Sequence, residues 1–210
     1  MKYTAIVLAS GSSRRANIGY NKIFYKIDNI PVINLACKNF INDENCEKII
    51  ITYSNDEIVK LKQLFYNNKI VYVKGGLTRQ ESVKNALNEV KSEYVLIHDG
   101  ARPFVSKDLI SRLVKELENN NAIIPVVNIT DTIKVIKDNK VVKTLNRDEI
   151  KIVQTPQAFK TSLIKKAHEM ASNTYFDDAS LIEEVLNETV YVIDGERDNI
   201  KLTYKEDFRG

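Results

Sequence analysis

The chain has 210 residues, with 31 Lys and Arg against 28 Asp and Glu, a formal net charge of +3. That length buries a substantial core without disulfides or a structural metal. The near-balance of charge excludes the clustered basic excess of a protein that coats nucleic acid or an anionic membrane. Hydrophobic content of 43% with 7 Gly and 4 Pro excludes collagen-like and disordered classes. No apolar run approaches the roughly 20 residues of a membrane span, and Met1 leads into an apolar stretch without a signal-peptide pattern. Cys37 and Cys46 stand outside any Cys-x-x-Cys or His-rich spacing, so the expectation is a cytoplasmic chain with two reduced, inert thiols. Only eight of the bases are Arg, the residue whose rigid donor fork suits phosphate and carboxylate.

In chain order, Tyr3–Ala9, Lys48–Tyr53, Lys69–Val73, Tyr94–His98 and Ala122–Val127 are runs rich in Val and Ile, the pattern of parallel strands covered on both faces. Helical patterns lie between them. Pro31 fits the first turn of a helix through Phe40; Val83, Ala86, Leu87 and Val90 form one stripe. Leu109, Ile110, Leu113, Val114 and Leu117 form another, with Ser106 as its N-cap. This alternation predicts right-handed crossovers and an α/β, doubly wound, mostly parallel sheet. Asn128–Lys151 breaks it: Lys137-Asp138-Asn139-Lys140 reads as a turn between strands Thr132–Ile136 and Val141–Leu145, a hairpin serving either as a local flap or as an arm for another subunit. A helix with Leu181, Ile182, Val185 and Leu186 follows Asp177-Asp178, acids that suit a helix N-terminus, and Thr189–Ile193 is a late strand. The reading is one domain over residues 1–210 with an excursion at about 128–151.

Ligands of such sheets bind outside the carboxyl ends of the strands. The first loop, Ser10 to Lys22, lacks a G-x-G-x-x-G fingerprint and a P-loop ending but has a hydroxyl-rich turn, Arg14, Arg15 and Lys22. Exposed N–H groups with fixed cations suit a triphosphate; a solvated basic loop fits the same residues. The third-strand loop pairs Gly75 and Gly76 ahead of Thr78, a helix cap, which serves a close ligand approach or an ordinary turn. After the fourth strand, Asp99 beside Gly100 suits a ribose hydroxyl or Mg²⁺. His98, if Asp99 points out, alternates inward as a packed residue, and His168 reads as helix surface. Two His leave triads and zinc sites poorly supported.

Taken in order, the strings LASGSSRR, NK, GGLTRQES, HDGARPF, TDT, QTPQ, DDAS and DNIKLT span nearly the whole chain. Together they resemble the cytidylyltransferases that act on 2-C-methyl-D-erythritol 4-phosphate, an early step of non-mevalonate isoprenoid synthesis. The resemblance implies a Rossmann-like nucleotidyltransferase fold and a homodimer whose hairpin arm reaches over the partner's active site. It implies Mg²⁺ as cofactor, CTP and a polyol phosphate as substrates, and neither nucleic acid nor membrane as partner. Position by position, it gives Arg15 and Lys22 catalytic stabilisation at the triphosphate, and Arg147 and Lys201 the grip on the incoming phosphate. It assigns CTP binding to Leu8, Ala9, Ser10, Gly11, Gly75, Gly76, Ser82 and Asp99, with Asp99 also near the metal. Arg102, Thr132 and Thr155 fall to the polyol phosphate.

Some residues depart from the family pattern. Asn21-Lys22-Ile23 stands where Pro-Lys-Gln is usual, which leaves the loop presenting Lys22 less constrained. Ser12-Ser13 replaces a glycine or small aromatic pair, and Phe176 stands where a Thr commonly precedes the acidic pair. The rival readings are a sister enzyme for ribitol 5-phosphate, a nucleotide-sugar glycosyltransferase, which needs a metal-binding acid pair where this chain supplies Asp99 alone, and a nucleotide sensor without turnover.

Overall fold

Along Tyr3–Leu8 the side chains alternate, with Tyr3, Ala5 and Val7 in one hydrophobic cluster and Ile6 in another, so both faces of the strand are covered. This is β1, near the centre of the main sheet, in a computed structural model that describes residues 1–11, 13, 16, 19–54 and 56–208. A small hairpin, β2 (Lys26–Ile27) and β3 (Ile30–Pro31), precedes α1 (Val32–Ile41). Then come β4 (Cys46–Tyr53), α2 (Ile58–Leu64), β5 (Ile70–Lys74), α3 (Arg79–Leu87), β6 (Tyr94–Asp99), α4 (Lys107–Glu116) and β7 (Ala122–Asn128). The remainder is β8 (Lys134–Lys137), β9 (Lys140–Thr144), β10 (Lys151–Val153), β11 (Gln157–Lys160), α5 (Thr161–Met170), α6 (Asp178–Leu186) and β12 (Tyr191–Asp194).

Strands β5, β4, β1 and β6 are mutually parallel neighbours. Helices α1, α2 and α4 cover one face through Ile33, Phe40, Leu61 and Leu113; α3, α5 and α6 cover the other through Val83, Ile164 and Ile182. The doubly wound expectation is met, with one addition. β10 and β11 run antiparallel to the rest: β11 joins β6 to the start of β7, while β10 pairs with the end of β7. Both are three or four residues long, too short for periodicity to reveal. Ile123 of β7 faces Ala158 on one side and Tyr191 on the other, which puts β12 at the sheet edge. β7 and β12 point the same way as β1, so six strands present their carboxyl ends to one side of the molecule.

The expected hairpin is present, with shifted limits. Lys137 pairs with Lys140, so the turn is the two residues Asp138 and Asn139, both at positive φ (49° and 59°). Mirror-image two-residue turns require that conformation at both positions, and Asp and Asn tolerate it better than other side chains with a Cβ. β8 and β9 form a sheet of their own, separate from the main one. Ser106 caps α4 as expected, accepting from the Leu109 N–H at 2.9 Å. Thr78–Glu81 and Asp177–Ser180 form capping boxes at α3 and α6. Cys37 and Cys46 are free and buried; burial pushes the Cys46 thiol up to about 11, in keeping with inert thiols. His168 corrects its expected surface position: it is 3% exposed, because the face of α5 that carries it turns towards α6, with Nε2 3.6 Å from Asp178 Oδ1.

Candidate active site

At the carboxyl ends of β1, β5 and β6 the loops enclose an open cavity of about 630 Å³. The first loop owes its course to Asn21. Its amide donates to the Ala9 carbonyl and to Glu57 Oε2, both at 3.0 Å; its oxygen accepts from Ser13 Oγ at 2.9 Å and caps a one-turn helix, Lys22–Phe24. The Ser13 hydroxyl in turn accepts the Lys22 N–H at 2.9 Å. The expectation that Asn21 leaves Lys22 less constrained is therefore corrected: a short amide replaces a proline's stiffness with hydrogen bonds. Lys22 Nζ donates to the Leu202 carbonyl at 2.7 Å, which joins the first loop to the chain's last segment.

Asp99, at the end of β6, is the electrostatic centre. Lys201 Nζ lies 2.6 Å from Oδ2 and Arg79 Nε 3.5 Å from Oδ1. Burial pushes this carboxyl up, but Arg79 and Lys201 outweigh it and hold the group well below the usual carboxylate range. Arg79 also donates to the buried Asp178 at 2.7 Å, so one guanidinium spans two carboxylates and fastens α3 to the start of α6. Burial opposes the charge on Asp178 too, and Arg79 holds it ionised. Sequence reasoning left Arg79 and Asp178 without a role here; the signal was an Arg in a strand-end loop, among the few in a Lys-rich chain.

Behind Asp99 a network of buried polar groups is bonded within the chain, with Arg102 Nε and Asn199 Oδ1 left without a hydrogen-bond partner among the described residues. Burial lowers His98 from 6.5 to about 4, so the ring is neutral near pH 7. Its Nε2 faces the Arg102 carbonyl at 3.1 Å and its Nδ1 faces Thr155 Oγ1 at 3.1 Å. A carbonyl only accepts, so Nε2 carries the proton and Thr155 donates to Nδ1, while Thr155 accepts the Asp99 N–H at 3.0 Å. Asn199, fully buried, donates to the Thr155 carbonyl at 2.9 Å and accepts at its own carbonyl from Arg102 at 2.7 Å and from Gln154 at 3.3 Å. Leu202 N–H then bonds the Ala101 carbonyl. These ties carry Lys201 to Asp99.

The chain can now be set beside known proteins. Residues 3–210 match the family model of 2-C-methyl-D-erythritol 4-phosphate cytidylyltransferase. The chain belongs to this family. Curated relatives of that name include those of Geobacillus thermodenitrificans, 42% identical, and Bacillus pumilus, 38% identical, each alignment covering 99% of this chain and 94% of the relative. Among solved structures, the 4-diphosphocytidyl-2C-methyl-D-erythritol synthase of Anaerococcus prevotii superposes with a TM-score of 0.87 at 32% identity, covering 99% of this chain and 92% of that one. The cytidylyltransferase of Francisella tularensis gives 0.81 at 33%, covering 99% and 97%. The bifunctional protein of Campylobacter jejuni gives 0.85 at 34%; the present chain matches 53% of its length.

Of the residues that the family likeness implied, Leu8, Ala9, Ser10, Gly11, Lys22, Gly76, Ser82, Asp99 and Lys201 line the cavity of this cytidylyltransferase-family chain. Gly75 backs it: a Cβ there would run into Ser10 and Ser82. Arg15 lies outside the described residues. Arg102 and Thr155 are buried behind Asp99 and are not among the lining residues; Arg102 Nη1 donates to the Asn199 carbonyl and Thr155 Oγ1 is bonded to His98. Thr132 and Arg147 are exposed on the arm, where Arg147 donates to the Thr130 carbonyl at 2.9 Å; neither lines the cavity of its own chain. Asn21, Thr78 and Thr203 line it without having been anticipated. Phe176 is 99% exposed. Among the described residues no three His, Cys, Asp or Glu side chains are grouped to hold a metal ion, and no helix is long and apolar enough to cross a membrane.

Proposed function

We propose that the protein transfers CMP from CTP to the phosphate of 2-C-methyl-D-erythritol 4-phosphate, giving 4-diphosphocytidyl-2-C-methyl-D-erythritol and pyrophosphate. The observation that carries this reading is the convergence of Arg79 and Lys201 on Asp99 at the strand ends, with Lys22 on the wall of the same cavity, in a chain of this family. An oxygen of the acceptor phosphate attacks the α-phosphorus, and the bond from that phosphorus to the bridging oxygen of pyrophosphate breaks. No side chain need remove a proton, because a phosphate monoester is already anionic; this accords with a neutral His98 turned away from the cavity. The work left to the protein is positioning and cationic stabilisation.

Lys22 and Arg15 meet the triphosphate. Lys201 takes the acceptor phosphate, with Arg147 from a second subunit, and the CTP base and ribose lie along Leu8–Gly11, Gly75–Gly76, Ser82 and Asp99. Arg102 and Thr155 serve the polyol phosphate through Lys201 and Asp99, while Thr132 travels with the arm. One carboxylate held ionised, completed by substrate phosphate oxygens, is a donor set that fits Mg²⁺. When bound there, the ion supplies charge neutralisation. The arm's separate sheet, with Ile136, Val141 and Val142 exposed, supports a homodimer with shared sites. One catalytic domain with an arm, working in the cytoplasm, is the organisation proposed.

The test is pyrophosphate release from CTP and Mg²⁺ with methylerythritol phosphate and ribitol 5-phosphate in parallel. Release with the first is expected. Release with ribitol phosphate alone, or with neither acceptor, overturns the reading.

A further inference from the structure

Lys201 and Thr203 line the cavity, but Leu202 between them turns the other way and is buried with Ala16, Val32 and Phe208 in a small apolar cluster. The segment that carries Lys201 therefore has a cavity face and an apolar back. Beyond Thr203 the chain doubles back on itself. Asp207 Oδ2 accepts the Thr203 and Tyr204 N–H groups at 2.6 and 2.8 Å, which closes a one-turn helix, Lys205–Phe208, and sets Phe208 into the cluster that holds Ala16 of the first loop.

Phe208 is 8% exposed. Its ring meets Tyr25 edge-on, with centroids 4.8 Å apart, and its carbonyl accepts from Tyr25 Oη at 2.5 Å. Tyr25 ends the one-turn helix that begins at Lys22, its N–H bonded to the Lys22 carbonyl at 3.0 Å. Lys22 Nζ reaches the Leu202 carbonyl in turn. The last segment thus grips the first loop at two points, Ala16 and Tyr25, while it carries Lys201, 2.6 Å from Asp99, on its cavity face. This cluster is separate from the two that flank the main sheet. A contact so small opens without opening the sheet. A ligand held by both the loop and Lys201 binds the closed arrangement better than the open one, so binding and closure are linked, and the linkage is reciprocal.

We propose that Phe208 is a positioning residue that clasps the last segment to the first loop, and that its seating and the binding of CTP strengthen each other. This rests on the nucleotide reading above and goes beyond it. Phe208 does not line the cavity and acts through Lys22 and Lys201.

The test uses the full-length protein with CTP and Mg²⁺, read by calorimetric affinity, by hydrogen exchange of the amides of residues 202–208 and by melting temperature. In the parent, saturating CTP is expected to slow exchange in that segment roughly fivefold or more, the lower end of ordinary coupling between sites. Phe208→Ala is expected to weaken CTP by up to the same factor, and Phe208→Leu, which refills most of the space, to recover most of the loss. A purely structural Phe208 would lower the melting temperature and leave CTP affinity where it was; that result in folded Phe208→Ala overturns the proposal. So does exchange in residues 202–208 that CTP leaves unchanged in the parent. Should Phe208→Ala fail to fold, the parent's exchange decides alone. If the parent binds no CTP, the functional reading fails and this inference with it; if it binds CTP and the segment does not respond, this inference alone fails.

Discussion

The cavity and the arm sit on the same chain and are built in opposite ways. Around the cavity the chain ties its own polar groups together: Asp99 sits between Arg79 and Lys201, and Asn199 links Thr155, Arg102 and Gln154. The arm is a two-stranded ladder with 60% exposure at Val141 and Val142, and Arg147 is bonded to a neighbouring carbonyl of the same excursion. A two-stranded hairpin is marginal alone in water. The contrast teaches that the cavity is preorganised by its own chain, while the arm leaves apolar side chains and Arg147 exposed, the difference on which the proposed shared site rests.

Replacing Lys22 by Ala probes the preorganised half most sharply. Turnover is expected to fall roughly 10²–10³-fold, the scale of a single electrostatic stabiliser, with the melting temperature little changed; near-parental rates would remove Lys22 from the chemistry. The arm is probed by mixing Arg147→Ala with Lys201→Ala. Each variant alone is nearly inactive, but half the dimers are mixed and one of their two sites is whole, so activity returns to roughly a quarter of the parent. Mixed dimers without recovery would mean that each pocket uses its own Arg147.

Asn199→Ala asks how much the scaffold matters. Losing the bond to the buried Thr155 carbonyl is expected to cost about 1–3 kcal/mol in chemical denaturation and to raise KM for the acceptor, since Lys201 follows Asn199. An unchanged KM in the destabilised variant would confine Asn199 to stability.

The smallest effect concerns acid. His98 is held near 4 against 6.5 for the free group, so between those values the unfolded chain binds a proton that the native ring refuses. Stability therefore rises with pH across the window and falls on acidification. Asp99 and Asp178 have native carboxyls held low, so their contribution is intact above the ordinary carboxylate range and is lost only below it. Melting temperatures across the window should decline less in His98→Gln than in the parent; an equal decline would assign the acid sensitivity elsewhere.

Much of the frame was legible beforehand. The Val- and Ile-rich runs announced the parallel strands because strands covered on both faces need nearly continuous apolar sequence. Ser106 and the Asp177 pair announced helix starts, because orphan N–H groups recruit short oxygen-bearing side chains. β10 and β11 were not legible, being too short to show a period. Neither was the burial of His168, which depends on how α5 meets α6, nor the tethering of Lys22 by Asn21, whose partners Ala9 and Glu57 lie 12 and 36 residues away.

The sequence by itself determined the fold class, the strand-end loops that enclose the cavity and the family, since these rest on local pattern and ordered motifs. Only the tertiary structure decided which of the candidate residues face the cavity and which support it from behind. Arg102 and Thr155, which the family likeness gave to the polyol phosphate, lie buried behind the cavity wall, while Arg79 bridges Asp99 and Asp178. Even Ser10 finds its hydroxyl partners, Thr52 and Ser82, 42 and 72 residues away in the chain. The physical reason is common to all of these: a buried polar group must be paired, and what it has left for a ligand depends on partners that only folding brings near.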